Sequence, residues 1–152
     1  MSVKHDIEEK VENAIVSLID AQAGLSTDIE VLPSFDDTDV DDDQVIVGTT
    51  QAVDMFPDAD ATGYVECSID IIIRTHAETT SDGTSRREYH REVKAKVIDV
   101  LYSDSFITDL NAQGVADFTA HILTIGPRKR TVEDNSIITI QSIELSCVPT
   151  TV

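Results

Sequence analysis

The stretch from Gly63 to His76 reads GYVECSIDIIIRTH. Val65, Cys67, Ile69, Ile71 and Ile73 alternate with Tyr64, Glu66, Ser68, Asp70, Ile72 and Arg74. A period of two is that of a β-strand, whose successive side chains point to opposite faces. One set is wholly apolar and the other mostly polar, so the strand belongs to a sheet covered on one side. Its flanks must supply the cover and the remaining strands.

Upstream, residues 6–22 place Ile7, Val11, Ala14, Ile15, Leu18 and Ile19 at steps of three and four, one face of an amphipathic helix. Asp6, Glu8, Glu9 and Glu12 crowd its first turns, where the helix dipole favours negative charge, and Gly24 is a natural stop. Residues 28–33 (DIEVLP) predict a short strand, and residues 44–50 (QVIVGTT) a second one from their β-branched content. Residues 51–62, with Pro57, three Asp and no clear period, predict a loop.

Downstream, residues 77–84 read as a turn. Ser85 and Glu88 then match a capping box opening a helix to Ser103, with Tyr89, Val93, Val97, Val100 and Leu101 on its apolar face. After a connector at 104–114, residues 115–126 (VADFTAHILTIG) and 136–148 (SIITIQSIELSCV) predict two strands. The charged turn 127–135 between them makes an antiparallel hairpin. The expected fold is α+β: an antiparallel sheet of about five strands with two helices on one face, in the order α-β-β-β-α-β-β. Residues 1–152 form one domain, with the acidic loop 34–43 and the loop 51–62 as excursions, and a chain this long buries about two thirds of its unfolded surface.

The chain carries 29 acidic and 11 basic residues, for a net charge of −18. No Lys or Arg occurs from Val11 through Ile73. The bases gather as Arg86, Arg87, Arg91, Lys94 and Lys96, and as Arg128, Lys129 and Arg130. A field this negative repels phosphate, which disfavours sequence-specific nucleic acid binding and anionic membranes, and it favours basic partners. A salty milieu or a plainly solvated surface explains the acidity equally well. The N-terminus lacks the apolar core of a signal peptide, and no apolar run approaches the roughly 20 residues that span a bilayer. Cys67 and Cys147 fall in predicted strands with no metal-binding spacing.

No catalytic, cofactor or metal site is expected. His5, His76, His90 and His121 are scattered, no G-x-S-x-G elbow or Gly-rich phosphate loop occurs, and the six glycines are isolated. Asp37, Asp39 and Asp41 give D-x-D-x-D, but an EF-hand counted from Asp37 puts Asp42 where Gly belongs and Gly48 where Glu belongs. Counted from Asp39 the same positions hold Gln44 and Thr50. The carboxylates Asp36, Asp37, Asp39, Asp41, Asp42 and Asp43 mainly repel one another and extend the chain. The basic residues Arg86, Arg87, Arg91, Arg128, Lys129 and Arg130 are interface candidates. Between identical subunits arranged head to tail, they would face the Asp36–Asp43 segment of the next copy, and such a contact closes into a ring. Solubility alone explains a charged hairpin tip equally well.

The order and pattern of elements resemble the tail terminator (tail completion) proteins of long-tailed phages and related prophage particles. The corresponding parts are an amphipathic helix ending in a small-residue turn (Ile7 to Gly24), a short strand and variable loop, a long alternating strand (Tyr64 to His76), a second helix (Ser85 to Ser103) and a closing hairpin (Val115 to Val148). The resemblance implies a virion structural protein made in the host cytoplasm. It would form a homo-oligomeric ring, usually a hexamer, that caps the tail tube and joins it to the neck, with the tail tube protein and a neck or head-completion protein as partners. It carries over no catalytic residues. In such a ring, Asp36–Asp43 would line the channel and repel passing DNA. The acidic segment and the extended 51–62 loop depart from the family pattern. The alternatives are another neck or head–tail joining protein, or an acidic inhibitor (an immunity or DNA-mimic protein) of a basic nuclease.

Overall fold

In the computed structural model, which describes residues 3–26, 29–33, 43–55, 63–76, 85–113, 117–133 and 136–149, the alternating segment is a strand, Tyr64–His76. In chain order the elements are α1 (Val3–Gln22), β1 (Glu30–Pro33), β2 (Gln44–Met55), β3 (Tyr64–His76), α2 (Arg86–Leu101), α3 (Phe106–Gln113), β4 (Phe118–Glu133) and β5 (Ser136–Pro149). The strands form one five-stranded sheet in the order β1-β2-β3-β5-β4. The class is α+β, as expected.

Val65, Cys67, Ile69, Ile71 and Ile73 are buried on the inner face of β3, opposite Cys147, Leu145, Ile143, Gln141 and Thr139 of β5. α1 and α2 cover this face. All six apolar residues read on α1 are buried, as are Val93, Val97, Val100 and Leu101 of α2, with Tyr89 packed at the margin. Each Val, Leu or Ile side chain among them contributes about 1.5–3 kcal/mol when removed from water. α1 ends where Gly24 takes a φ of 64°, a backbone region that favours glycine. Glu12, expected only to complement the helix dipole, is buried, and its Oε2 accepts the backbone N–H of Thr49 at 3.1 Å.

Four expectations are corrected. The sheet is mixed, because β1 pairs parallel to β2. β1 has only four residues, so the parallel pairing asks little reach of the chain that joins it to β2. A third helix, α3, forms in the presumed connector and buries Phe106 and Leu110. Its Asn111 side chain pairs with both backbone groups of Ala120, the Nδ2 donating to the carbonyl at 3.0 Å and the Oδ1 accepting from the N–H at 2.6 Å. That pairing blunts part of the exposed edge of β4. Residues 51–55, assigned to a loop, continue β2 beyond a bulge at Thr50, which resets the period so that Ala52 turns inward.

The fourth correction is the largest. The hairpin's charged stretch is strand, and β4 runs to Glu133 through two bulges, one at His121 and one at Gly126–Pro127. Gln141 braces the second. Buried on β5, it donates from Nε2 to the Gly126 carbonyl at 3.0 Å and accepts Arg128 Nε at 2.8 Å. A Cβ on Gly126 would meet the Ser142 carbonyl oxygen at 3.1 Å, so the close approach favours glycine. Residues 34–42, 56–62, 77–84 and 134–135 lie outside the described residues, and with them Asp36, Asp37, Asp39, Asp41 and Asp42.

Replacing Gln141 by Leu keeps the volume and strips the brace from the bulge. The expected loss is about 1–3 kcal/mol in urea unfolding, the cost of buried groups left without partners. Unchanged stability would contradict this role.

Candidate functional site

At one end of the inner face the side chains change character. Thr75, Thr139 and Gln141 replace the isoleucines and leucines that line the rest of β3 and β5. The first half of α2 lies over this end. Ser85 starts the helix, its hydroxyl accepting the Glu88 N–H at 3.3 Å. The register beyond the second bulge sets Arg128, Arg130 and Val132 opposite inner-face Gln141, Thr139 and Ile137. A cavity of about 330 Å³ results. α2 lines it with Arg86, Arg87, His90, Arg91 and Lys94, β4 with Arg130 and Val132, and β5 with Ile137.

His90 belongs to the floor and is 2% exposed. Its Nδ1 lies 2.9 Å from the Thr75 hydroxyl and its Nε2 2.7 Å from the Thr139 hydroxyl, so both ring nitrogens are engaged. Burial, then the nearby Lys94 and Arg130 charges, push its pKa from 6.5 down to about 4, with Asp43 opposing them. The imidazole is therefore neutral at pH 7, one nitrogen donating and the other accepting.

Asp43 is 9% exposed and ties three elements together. Its Oδ2 accepts from Arg86 Nη1 at 2.8 Å, its Oδ1 from the backbone N–H of His76 at 3.1 Å, and its carbonyl from the N–H of Glu30 at 3.3 Å. Arg86 also lies 5.2 Å from the Tyr89 ring centroid. Removing Arg86 would leave the Asp43 carboxylate sheltered from water without its cation. Asp43, expected as the last residue of the acidic loop 34–43, is thus placed in the fold, beside the cleft.

The six basic interface candidates divide. Arg87, Arg91 and Arg130 converge on the cleft, and Lys94 joins them. Arg86 is engaged by Asp43 and Arg128 by Gln141. Lys129 alternates to the opposite sheet face, opposite Ile140. Among the described residues, no carboxylate lies within ion-pair distance of Arg87, Arg91, Lys94 or Arg130. Arg87, in the first turn of α2, also meets the positive end of the helix dipole, so the cleft concentrates positive charge. Arginines in such a setting bind carboxylate or phosphate through paired N–H donors.

His90 was missed as part of the site, although it falls on the same helix face as Val93, Val97 and Leu101. Lys94 was legible from its spacing after Arg87 and Arg91. Thr75, Thr139, Val132 and Ile137 carried no separate signal. Among the described residues, no group of three or more His, Cys, Asp or Glu is placed to hold a metal ion, and no helix is long and apolar enough to cross a membrane. Cys67 and Cys147 are buried free thiols. The hydrogen bond to Cys67, and then burial, hold the Cys147 thiol far above its ordinary range. Compared with known proteins, the chain matches no family model and no curated protein.

The depressed pKa of His90 makes stability depend on pH. The unfolded chain takes up a proton near 6.5, while the folded one resists until about 4. Acid therefore favours unfolding across that window, by at most about 3 kcal/mol. His90→Gln removes the titration, so its urea midpoint should fall less than the wild type's between pH 7 and pH 4.5. Parallel pH profiles would contradict the assignment.

Proposed function

We propose that the chain is a structural assembly subunit that works by joining copies of itself, in the manner of the tail terminators it resembles. On this reading it forms a ring that caps a tail tube and meets the neck of the particle. Its other partners are the tube protein and a neck or head-completion protein. It needs no cofactor and carries out no catalysis.

One observation carries the reading: a chain of net charge −18 gathers four cations without a carboxylate partner, among the described residues, into one cleft on its surface. A positive cleft on an otherwise negative molecule is complementary to the rest of another copy. A contact between two different surfaces of the same chain is heterologous, and with the right rotation it closes into a ring. Complementary charge of this kind mainly sets partner choice and association rate. A neck or head–tail joining protein would use the same contact. The acidic inhibitor rests on net charge alone and gives the cleft no role.

Native mass spectrometry at low salt should find a closed oligomer that dissociates as salt rises, because screening weakens exposed charge pairs. Arg91→Glu with Arg130→Glu should leave monomers at every salt concentration. A wild-type chain that is monomeric throughout, or that pairs one-to-one with a basic nuclease, would contradict the assembly reading.

A further inference from the structure

We infer that the cleft between α2 and β4 receives the acidic segment Ser34–Asp42 (SFDDTDVDD) of a neighbouring copy. The inference rests on the assembly reading above and narrows it to one segment and one set of cations.

Charge gives the first argument. Arg87, Arg91, Lys94 and Arg130 line the cleft with no carboxylate within ion-pair distance among the described residues. The densest acidic run of the sequence contributes Asp36, Asp37, Asp39, Asp41 and Asp42. Asp43 is excluded because it already serves Arg86 inside its own fold. The hairpin triplet contributes Arg130 alone, since Gln141 engages Arg128 and Lys129 faces the other way.

The character of the walls gives the second. A site for a small inorganic anion needs only donors, yet this one also presents Val132, 65% exposed, and Ile137. The segment carries Phe35 and Val40 among its aspartates, so it offers apolar side chains to the walls and carboxylates to the rim. Tetrahedral anions and polyaspartate offer only the second.

The third is topological. The segment and the cleft are different stretches of the sequence, so seating one copy's segment in the next copy's cleft leaves one segment and one cleft over to continue the series. That is the geometry a ring needs.

Two variants test this by complementation. One carries Arg87→Ser, Arg91→Ser, Lys94→Ser and Arg130→Ser and keeps its segment. The other carries Asp36→Ser, Asp37→Ser, Asp39→Ser, Asp41→Ser and Asp42→Ser and keeps its cleft. Far-UV circular dichroism checks that each is folded, and the single reversal Arg91→Glu replaces the fourfold variant if it is not. Neither should assemble alone. Mixed at low salt, they should form a one-to-one heterodimer that grows no further, and Phe35→Ala in the segment donor should weaken it at least tenfold. Variants that assemble alone, or a mixture that stays monomeric while the wild type forms rings, would overturn the segment and leave the assembly reading standing. A wild type that never assembles would overturn both.

Discussion

The structure depends on burying one face of β3 and β5 beneath α1 and α2. Where that face carries Val65, Cys67, Ile69, Ile71 and Ile73, the helices close over it and water is excluded. A shift of one residue in either strand would exchange the two faces, so the burial fixes register across the centre of the sheet. The same face extends past the apolar residues to Thr75, Thr139 and Gln141, which are buried and therefore need polar partners. His90 meets the two threonines, and Gln141 meets the bulged backbone of β4. The cleft forms where the apolar face gives way to this polar one.

Two features set the charge of that cleft. The Gly126–Pro127 bulge resets the alternation of β4, so Arg130 and Val132 fall on the helix side while Lys129 falls on the other. The start of α2 brings Arg87, Arg91 and Lys94 to the same place. Arg87 in the first turn opposes the helix dipole, and mutual repulsion among the three cations adds to that cost. The Asp43 carboxylate offsets the charge of Arg86 alone. Surplus positive charge of this kind is relieved when carboxylates approach it, which is what the proposed contact between copies supplies.

Most of the architecture was legible because most of it follows a single period. β3, α1 and α2 show uninterrupted patterns of two or of three and four, and their buried residues match those patterns. The errors fall where a pattern breaks. Bulges at Thr50 and at Gly126–Pro127 each reverse the inward set, so β2 read as a loop after Thr50 and β4 read as a turn after Gly126. α3 is eight residues long, and Phe106 and Leu110 alone announce it. The parallel pairing of β1 is a tertiary choice with no local signature. The basic groups of the site were visible as runs of charge, but their division between the cleft, Asp43 and Gln141 follows from the bulge and could not be read from composition.

The central claim is that Lys94 and its neighbours meet carboxylates of another copy. Carbodiimide joins a lysine amine only to a carboxylate in direct contact with it, and mixing isotopically light and heavy chains distinguishes links between copies from links within one. The account predicts mixed-isotope links from Lys94 to the Asp36–Asp42 segment, lost at high salt. Links from Lys94 confined to one chain, or mixed-isotope links formed through Lys129 on the opposite face instead, would contradict it.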